Sequence, residues 1–287
     1  MFNRLCTIKK IVSTTLNWNS VLMVRIGFKK EVIAIFKNGS SIEVSRGKWD
    51  KFTGYVNFFY ELPGAKIKKE VATFIYKGTP LTFYLGSKGH NVLKEIFGQD
   101  PYGIFLKKGD VREKQVVDIG GYIGDTAIYF ALKGARHVYT FEPYPYLYQL
   151  AKKNISVNNL NKKCSVVNAG ISGTSSYVIL QPSLNESGPI KESKEGIKVP
   201  IITLENIVKK YKIKNAILKI DCEGCEYKII KESSKSTLEM FSVIVIEYHD
   251  GFSDLEKKLK RAGFKKVMHT SPKNHKGMAL GYIIARR

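Results

Sequence analysis

The sequence predicts an α/β protein with a parallel sheet, preceded by a region of β-hairpins. Three observations lead to this prediction. After Gly109, short apolar strands alternate with helical stretches, a pattern typical of βαβ units. The apolar strand 115–119 runs directly into a glycine-rich turn that is followed by a helix. Before Gly109, turn sequences such as Asn38-Gly39 separate shorter strands.

The part of the chain after Gly109 is predicted to contain seven sheet strands with helices between them. The strands are 115–119, 137–141, 164–168, 216–220, 242–247, 265–269 and 278–285. The helices are 125–132, 146–157, 204–211, 226–231 and 253–262. An additional hairpin, 176–180 with 198–202, encloses a polar loop at 181–197, interpreted as a surface insertion, with a mobile lid as the alternative.

The part before Gly109 is predicted to be rich in hairpins. The whole stretch 31–85 has strand-like patterning. The predicted elements are strands 31–36, 41–44, 71–76 and 81–85, and a short helix at 91–97. Asn38-Gly39 separates the first pair of strands, and Gly78 lies in the turn between the second pair.

The net charge of +22 is the unusual bulk property of this sequence. It results from 47 Lys and Arg against 25 Asp and Glu, and 39 of the 47 cations are lysine. A basic surface accelerates encounters with anionic partners such as nucleic acid, anionic lipid or a phosphorylated carrier. Bidentate recognition of phosphate favours arginine over lysine. The alternative to an anionic partner is therefore a lysine-rich surface that maintains solubility. The 44% apolar content is that of a globular protein and argues against disorder.

The sequence has no features of a membrane-spanning or secreted chain. No uninterrupted apolar run reaches the ~18 residues of a transmembrane helix, and the first 17 residues do not resemble a signal peptide. Four cysteines, at 6, 164, 222 and 225, are too few and too unevenly spaced for a disulfide framework. We therefore expect a cytoplasmic protein with reduced cysteines.

The strongest local motif is V-V-D-I-G-G-Y-I-G-D-T at 116–126. Glycines allow the backbone to approach a ligand, and the helix that follows presents free N–H groups. Glu142 ends the next strand, where a carboxylate can accept both hydroxyls of a ribose. The G-G-x-x-G spacing differs from the dinucleotide fingerprint. Asp118 would repel a pyrophosphate but could hold the ammonium group of a methionine moiety, so S-adenosylmethionine is favoured over a dinucleotide.

The second motif is L-K-I-D-C-E-G-C-E at 218–226, at the end of the fourth sheet strand. Open α/β sheets bind ligands at this edge, so Asp221 and Glu223 are interpreted as functional. Glu226 is equally well explained as the start of a helix, where a carboxylate is favoured. Cys222 and Cys225 lack a second pair of ligands for zinc, so no metal site is expected and both are interpreted as structural thiols.

The third motif ends the next strand, at 243–250. Glu247 and His249 are two residues apart and therefore fall on the same face at the ligand edge. His249 could act as a general base, because its ordinary pKa is near neutrality. A surface histidine beside Asp250 is the alternative.

These motifs together resemble the FkbM-type S-adenosylmethionine-dependent methyltransferases. The shared elements are the glycine loop at 117–124, F-E-P at 141–143, the acidic box at 218–226 and an acid at the end of the fifth strand. The resemblance covers about residues 90–285. Cys222 and Cys225 stand where aliphatic or small residues are expected.

The resemblance implies a Rossmann-like seven-stranded methyltransferase sheet, mostly parallel with one antiparallel strand. Residues 111–287 would form this domain, and the hairpin-rich accessory region 1–110 would contribute to substrate specificity. The cofactor would be held by Asp118, Gly120, Gly121, Gly124 and Glu142, with Asn168 and Ala169 near the adenine. The methyl group and the acceptor would be faced by Asp221, Glu223 and by Glu247 or His249.

The predicted reaction is O-methylation of a sugar, a glycan or a related hydroxylated metabolite. Asp221 and His249 are both candidates for the base that removes the acceptor proton. An RNA methyltransferase is the first alternative, because of the +22 charge. The sequence contains no Asn-Pro-Pro-Tyr box, no Pro-Cys nucleophile and no RNA-module signature that would support this alternative. A non-catalytic cofactor-binding protein is the second alternative, although the intact acidic box argues against it.

Overall fold

The structure is a computed structural model that describes residues 2–107, 109–182, 189–275 and 278–287. It divides the chain into an N-terminal unit, Met1–Tyr102, and a C-terminal unit, Gly103–Arg287. Part of the polar loop predicted at 181–197 lies outside the described residues, since these omit 183–188. Within the described ranges, no helix has both the length and the apolar character needed to cross a bilayer.

The N-terminal unit combines helices with two small antiparallel sheets. Its helices are α1 Phe2–Thr14, α2 Trp18–Ile26, α3 Trp49–Glu61 and α4 Gly89–Leu93, with a 3₁₀ turn at Arg46–Lys48 and a π-helical segment at Lys94–Gln99. Its strands are β1 Glu31–Ile35, β2 Ser41–Ser45, β3 Lys66–Lys68, β4 Val71–Tyr76 and β5 Thr79–Tyr84. A further helix, α5 Pro101–Phe105, spans the boundary between the two units.

Both predicted hairpins are confirmed. Strands β1 and β2 pair antiparallel, and so do β4 and β5, with β3 added beside β4. In the first turn Gly39 has a φ of +83°, which favours glycine. The side chain of Asn38 supports this turn, since its Oδ1 accepts a hydrogen bond of 2.8 Å from the Ser40 N–H.

The strand-like interpretation of 31–85 is wrong for Trp49–Glu61, which forms α3. Its aromatic and β-branched residues favour strands locally, but Phe52, Val56 and Phe59 are buried at helical spacing. Packing of this apolar face therefore outweighs local propensity. The same reason accounts for α1 and α2, which are rich in Ile and Val and were not predicted.

The C-terminal unit contains the main sheet and its covering helices. The strands are β6 Gln115–Ile119, β7 His137–Phe141, β8 Cys164–Val167, β9 Gly170–Ile171, β10 Ser176–Leu180, β11 Ile197–Ile202, β12 Ala216–Ile220, β13 Phe241–Tyr248, β14 Lys266–His269, β15 Lys273–His275 and β16 Met278–Arg286. The helices are α6 Asp125–Leu132, α7 Pro145–Val157, α8 Leu204–Lys210, α9 Glu226–Glu232, α10 Lys235–Leu238 and α11 Ser253–Arg261.

The main sheet has the order β14-β16-β13-β12-β6-β7-β8, with β15 paired to β16. The five neighbouring strands β13, β12, β6, β7 and β8 pair parallel. Strand β16 runs antiparallel to β13 and β14. The predicted sheet of seven strands with one antiparallel strand is therefore confirmed. Every residue of β6 and β12 is buried, as expected for central strands covered on both faces.

Because β6, β7, β12 and β13 run parallel to one another, their C-terminal ends lie at the same edge of the sheet. The predicted motifs follow these four strands directly, so they all lie at that edge. A separate three-stranded sheet, ordered β10-β11-β9, contains the predicted hairpin 176–180 with 198–202. The sheet and its reversed strand define the Rossmann-like methyltransferase fold.

Candidate functional site

The glycine turn after β6 is shaped first by contacts within the protein. Gly120 has a φ of +84°, and a Cβ at this position would overlap the carbonyl oxygen of Asp221. A Cβ on Gly121 would overlap Oγ1 of Thr140. Gly124 has a φ of +82° and precedes α6. Glycine is therefore required at 120 because the acidic box approaches the turn closely, and at 121 because Thr140 of β7 does so.

A buried lysine joins the first two motifs beneath this turn. The Nζ of Lys219 lies 3.1 Å from Oδ1 of Asp118 and 3.8 Å from Oδ2 of Asp221. It also donates a hydrogen bond of 2.8 Å to the Gly120 carbonyl. Burial alone would lower the pKa of Lys219, but Asp118, Asp221 and Asp125 raise it above its usual range. Lys219 is therefore a permanent cation at the centre of the site.

The carboxylate of Asp118 is fully buried, and both of its oxygens are engaged. Oδ2 accepts hydrogen bonds of 2.7 Å from the hydroxyls of Thr126 and Thr140, while Oδ1 faces Lys219. These contacts connect β6 with α6, β7 and β12. Asp118, which is predicted to hold the cofactor, also supports the turn through these contacts.

Asp125 is a buried acid that sequence analysis did not single out, although it follows Gly124 within the first motif. Its Oδ1 is buried and has no hydrogen-bond partner among the described residues. Burial raises the pKa of Asp125 to about 7, while the nearby Lys219 acts in the opposite direction. A buried carboxylate oxygen without a partner is costly, and an incoming donor would relieve that cost.

Glu142 lies at the end of β7, as predicted, with its carboxylate facing the glycine turn. Its Oε2 accepts a hydrogen bond of 2.8 Å from the Tyr122 N–H, and its Oε1 accepts one of 2.9 Å from the Tyr144 N–H. Burial raises the pKa of Glu142 to about 8, although these two bonds act in the opposite direction. Each carboxylate oxygen retains capacity for a further donor.

The two residues predicted near the adenine follow β8. The side-chain amide of Asn168 donates hydrogen bonds of 2.9 Å and 2.8 Å to the carbonyls of Glu142 and Pro143. It thereby fixes the loop that carries Glu142. Ala169 is buried, and its N–H donates to the Val167 carbonyl.

The acidic box and the third motif meet through Glu226 and His249. The fully buried carboxylate of Glu226 lies 2.9 Å from Nδ1 of His249 and accepts a hydrogen bond from the His249 backbone N–H. It also accepts one from the Gly224 N–H. Glu226 begins α9, as its helix-start interpretation requires, but it also anchors the box. This second role was not predicted, because the partner comes from another strand.

His249 is therefore not a surface histidine. It is mostly buried, and its Nε2 lies 3.5 Å from Oε2 of Glu223. Burial alone would lower the pKa of His249, but its hydrogen bond to Glu226 and the charges of Glu226, Asp221 and Glu223 raise it to about 9. The imidazole is thus mainly protonated at neutral pH.

The expectation that all four cysteines are reduced is wrong for two of them, because Cys222 and Cys225 form a disulfide. Their Cα atoms are 5.5 Å apart, a separation that suits a disulfide. Glu223 and Gly224, with φ of +56° and +113°, form the turn that brings the two residues together. Cys6 is exposed and Cys164 is buried, and both are free.

A cavity of about 810 Å³ opens beside His249. Its lining combines acidic and aromatic side chains, including Glu223, Tyr227, Asp250 and Phe252. Asp221, within the acidic box, has a side chain that is about one-third exposed. Glu247 is half-buried. It directly follows Ile246, whose register partner is Ile220, so Glu247 lies beside Asp221 where β13 and β12 are neighbours. The sheet thus brings Asp221, Glu223 and His249 together, with Glu247 adjacent.

These residues fit a cofactor that carries a cationic group and a ribose. The unpartnered Oδ1 of Asp125 can accept a hydrogen bond from a cation, and Glu142 can accept ribose hydroxyls at the adjacent strand end. S-adenosylmethionine has both groups, and it is the cofactor of the class that this fold defines.

The sequence places the chain within that class. The sequence model of the FkbM methyltransferase domain matches residues 118–266, more than half of the chain. The chain therefore belongs to the FkbM family of S-adenosylmethionine-dependent methyltransferases. The predicted family and cofactor are confirmed. A search of curated proteins finds no match to this chain.

Comparison with solved structures returns methyltransferases at low identity. A candidate SAM-dependent methyltransferase from Streptococcus mutans is 11% identical, with 99% of this chain and 81% of that one covered and a TM-score of 0.47. The M. jannaschii tRNA m1G37 methyltransferase is 12% identical, with coverage of 93% and 64% and a TM-score of 0.46. M. jannaschii TYW2 in complex with AdoMet is 16% identical, with coverage of 77% and 87% and a TM-score of 0.41. Similarities this distant carry no argument about the acceptor.

Proposed function

We propose that this protein methylates a hydroxyl oxygen of a sugar, a glycan or a related metabolite. The observation that carries the proposal is the Glu226–His249 pair beside the cavity at the ends of β12 and β13. S-adenosylmethionine supplies the methyl group when bound. Methyl transfer to a hydroxyl then requires an aligned acceptor and a base for its proton.

The cofactor side of the site is proposed to comprise the glycine turn with Gly120, Gly121 and Gly124, together with Asp125 and Glu142. Asn168 and Ala169 would border the adenine. Asp118 would act as a positioning residue, because Lys219, Thr126 and Thr140 already occupy its oxygens.

We propose His249 as the base and Asp221 as the group that orients the acceptor. Glu226 holds the Nδ1 side of the imidazole, so that Nε2 is the atom available for the acceptor proton. Asp221 is near the cation of Lys219, which makes it less suited to accept a proton. Glu223 and Glu247 would complete the acceptor side. With a pKa of about 9, roughly 1% of His249 is neutral at pH 7 in the free protein.

Transfer of a labelled methyl group to a panel of sugars, glycans and RNAs tests the proposal. We expect label on a hydroxylated carbohydrate and a 10²- to 10⁴-fold lower rate for His249→Gln, with affinity for S-adenosylhomocysteine retained. The rate should rise as pH approaches 9, because the neutral imidazole is the active form. His137→Gln is the matched control, since His137 is the first residue of β7 and the candidate site lies at the C-terminal ends of the strands. A wild-type rate in His249→Gln would transfer the role of base to Asp221.

RNA is the second candidate acceptor, favoured by the net charge of +22. If RNA is bound through its phosphates, its affinity should fall steeply with salt concentration. Label on RNA together with such salt dependence would replace the carbohydrate proposal. Cofactor binding without transfer to any acceptor would favour a non-catalytic protein.

The N-terminal unit is proposed to contribute to the choice of acceptor. A fragment beginning at Gly103 tests this, because that residue begins the C-terminal unit. We expect the fragment to bind S-adenosylhomocysteine but to methylate the acceptor less efficiently than the full chain. Equal efficiency would remove the N-terminal unit from substrate recognition.

A further inference from the structure

Helix α1 exposes a stripe of apolar side chains. Leu5, Ile8 and Val12 are spaced as on one helix face, and all three are exposed, Leu5 by 64%. Leu16, which follows the helix by two residues, is exposed by 61%. The opposite side of α1 is packed, since Ile11 is fully buried. Helix α1 therefore carries apolar side chains on two sides, of which one is packed and the other is exposed to solvent.

The stripe continues onto the first hairpin. The Leu16 N–H donates a hydrogen bond of 2.8 Å to the Ile35 carbonyl, so the end of the stripe adjoins β1. The side chain of Asn17 fixes this junction through bonds to the backbone of Ile33 and Ile35. Ile33 and Ile35 share the outer face of β1, and Ile33 is exposed by 61%, whereas Ala34 between them is fully buried.

The end of α2 adds the most exposed aromatic side chain among the described residues of this unit. Phe28 is 82% exposed, and Ile26 beside it is also exposed. Their position is fixed by a helix cap, in which Gly27 has a φ of +96° and the N–H groups of residues 27–29 converge on the Met23 carbonyl. The apolar face is defined here as Leu5, Ile8, Val12, Leu16, Ile26, Phe28, Ile33 and Ile35.

The same segment is strongly basic. Residues 1–40 contain seven Lys and Arg and one acidic residue, Glu31. Among the described side chains of this segment, the exposed cations are Lys9, Arg25, Lys29, Lys30 and Lys37. A basic border favours an anionic surface and disfavours a second copy of a chain that itself carries +22. Large exposed apolar patches with polar borders mark interaction sites.

We propose that the apolar face docks onto a membrane surface that contains anionic lipids. Leu5, Leu16 and Phe28 would enter the boundary between headgroups and acyl chains while α1 lies in the membrane plane. The lysines and Arg25 would contact anionic headgroups, each cation contributing about fivefold to the affinity, or about 1 kcal/mol. This surface binding is independent of the methyl-transfer proposal.

Sedimentation of the full chain with phosphatidylcholine vesicles, with and without phosphatidylserine, tests the proposal. We expect binding only when phosphatidylserine is present. Leu5→Ser with Phe28→Ser should lower the affinity about tenfold or more, because apolar burial at the interface is lost. Ile75→Ser with Ile104→Ser is the matched control, since these side chains are 74% and 75% exposed outside the apolar face.

Lys29→Gln with Lys30→Gln should weaken binding roughly 25-fold, whereas Lys235→Gln with Lys257→Gln should change it little. Circular dichroism and binding of S-adenosylhomocysteine verify that each variant is folded. Three results would overturn the proposal. These are no binding to phosphatidylserine vesicles, equal losses in the two apolar double variants, and a dimer in sedimentation velocity that Leu5→Ser with Phe28→Ser dissociates.

Discussion

The two units of this protein bury different kinds of side chain. In the described part of the C-terminal unit, the buried acids, lysines and histidines include Asp118, Asp125, Glu142, Lys219, Glu226 and His249. In the described part of the N-terminal unit, His90 is the buried side chain of this kind. It stacks on Tyr55 with ring centroids 4.5 Å apart. The core around it is largely aromatic, with Phe36, Phe52, Phe58 and Phe83 fully buried or nearly so.

This difference concerns the unfavourable free energy of burying charged groups. Dehydrating a charged group is unfavourable unless a partner compensates it. In the C-terminal unit the partners are Lys219 for Asp118 and His249 for Glu226, all at one edge of the sheet. Among its described residues the N-terminal unit buries no acid and no lysine, and it exposes the apolar face. The first arrangement prepares a chemical site and the second a contact surface.

The largest expected effect comes from removing the central cation of the C-terminal unit. Lys219→Met leaves the buried carboxylate of Asp118 without its partner, so the free energy of unfolding should fall by about 3–5 kcal/mol. Urea denaturation measures the change. Lys257→Met is the control, because its ion pair with Asp254 is exposed and should contribute less than about 1 kcal/mol.

A second variant tells whether the charge or the shape of Lys219 is responsible. Asp118→Asn removes the buried negative charge, and combining it with Lys219→Met should recover part of the lost stability. A double variant as unstable as the sum of the two single variants would contradict the pairing of these residues.

Two glycines with nearly equal φ, one in each unit, sharpen the comparison. Gly120→Ala introduces backbone strain and also an overlap with the Asp221 carbonyl, so a loss of about 2–4 kcal/mol is expected. Gly39→Ala introduces the strain alone, because no described atom outside Asn38, Gly39 and Ser40 lies within 4 Å of the place its Cβ would take, and should cost about 1 kcal/mol. Thermal unfolding of both variants measures the difference, and equal losses would show that the overlap is relieved at little cost.

Glu142→Ala tests the cofactor side of the C-terminal unit. At pH 9, where Glu142 is largely ionised, loss of a charge-assisted hydrogen bond should weaken binding of S-adenosylhomocysteine by roughly 1.5–3 kcal/mol. Isothermal calorimetry measures this affinity, and NAD serves as the ligand that should not bind. Glu239→Ala is the control, since its partner is Arg287. An unchanged dissociation constant for Glu142→Ala would remove it from the ribose site.

The last expected effect, a change in the free energy of unfolding of about 1.4 kcal/mol per pH unit for each titrating group, has opposite signs in the two units. In the C-terminal unit the pKa of Glu142 rises from 4.5 to about 8 and that of His249 from 6.5 to about 9. Their stabilising contribution is fully present below pH 4.5 for Glu142 and below pH 6.5 for His249, declines above these values, and is lost once pH has passed 8 and 9, respectively. Burial and nearby lysines lower the pKa of His90 from 6.5 to about 4, so the N-terminal unit loses stability as pH falls through this range.

Hydrogen exchange measured as a function of pH separates the two contributions. Protection of the amides of β6 and β12 should fall as pH rises from about 5 to 9, and protection of the amides of α3 and α4 should fall as pH drops from about 6.5 to 4. His90→Gln and His249→Gln are the matched variants, each of which should flatten the dependence in its own unit. The same direction in both units would contradict the pKa shifts of these histidines.

Much of the fold could be predicted because its signals are local. Strand and helix order after Gly109 follows from apolar periodicity, and the turn at Asn38-Gly39 follows from the conformational preference of two residues. Helix α3 could not be predicted in this way, since its Phe and Val residues favour strands until their apolar face is packed. The disulfide could not be predicted either, because Cys222 and Cys225 are brought together by the turn at Glu223 and Gly224.

The sequence by itself determined the family, the cofactor, the order of strands and helices, and the positions of the acids at strand ends. These depend on motifs and on periodicity, which are written along the chain. Only the tertiary structure decided which charges meet. Lys219 faces Asp118 because β12 and β6 pair in a register that places these residues side by side. Glu226 meets His249 because β12 and β13 are also neighbours. Pairing between distant residues depends on sheet register, and no local pattern in the sequence specifies it.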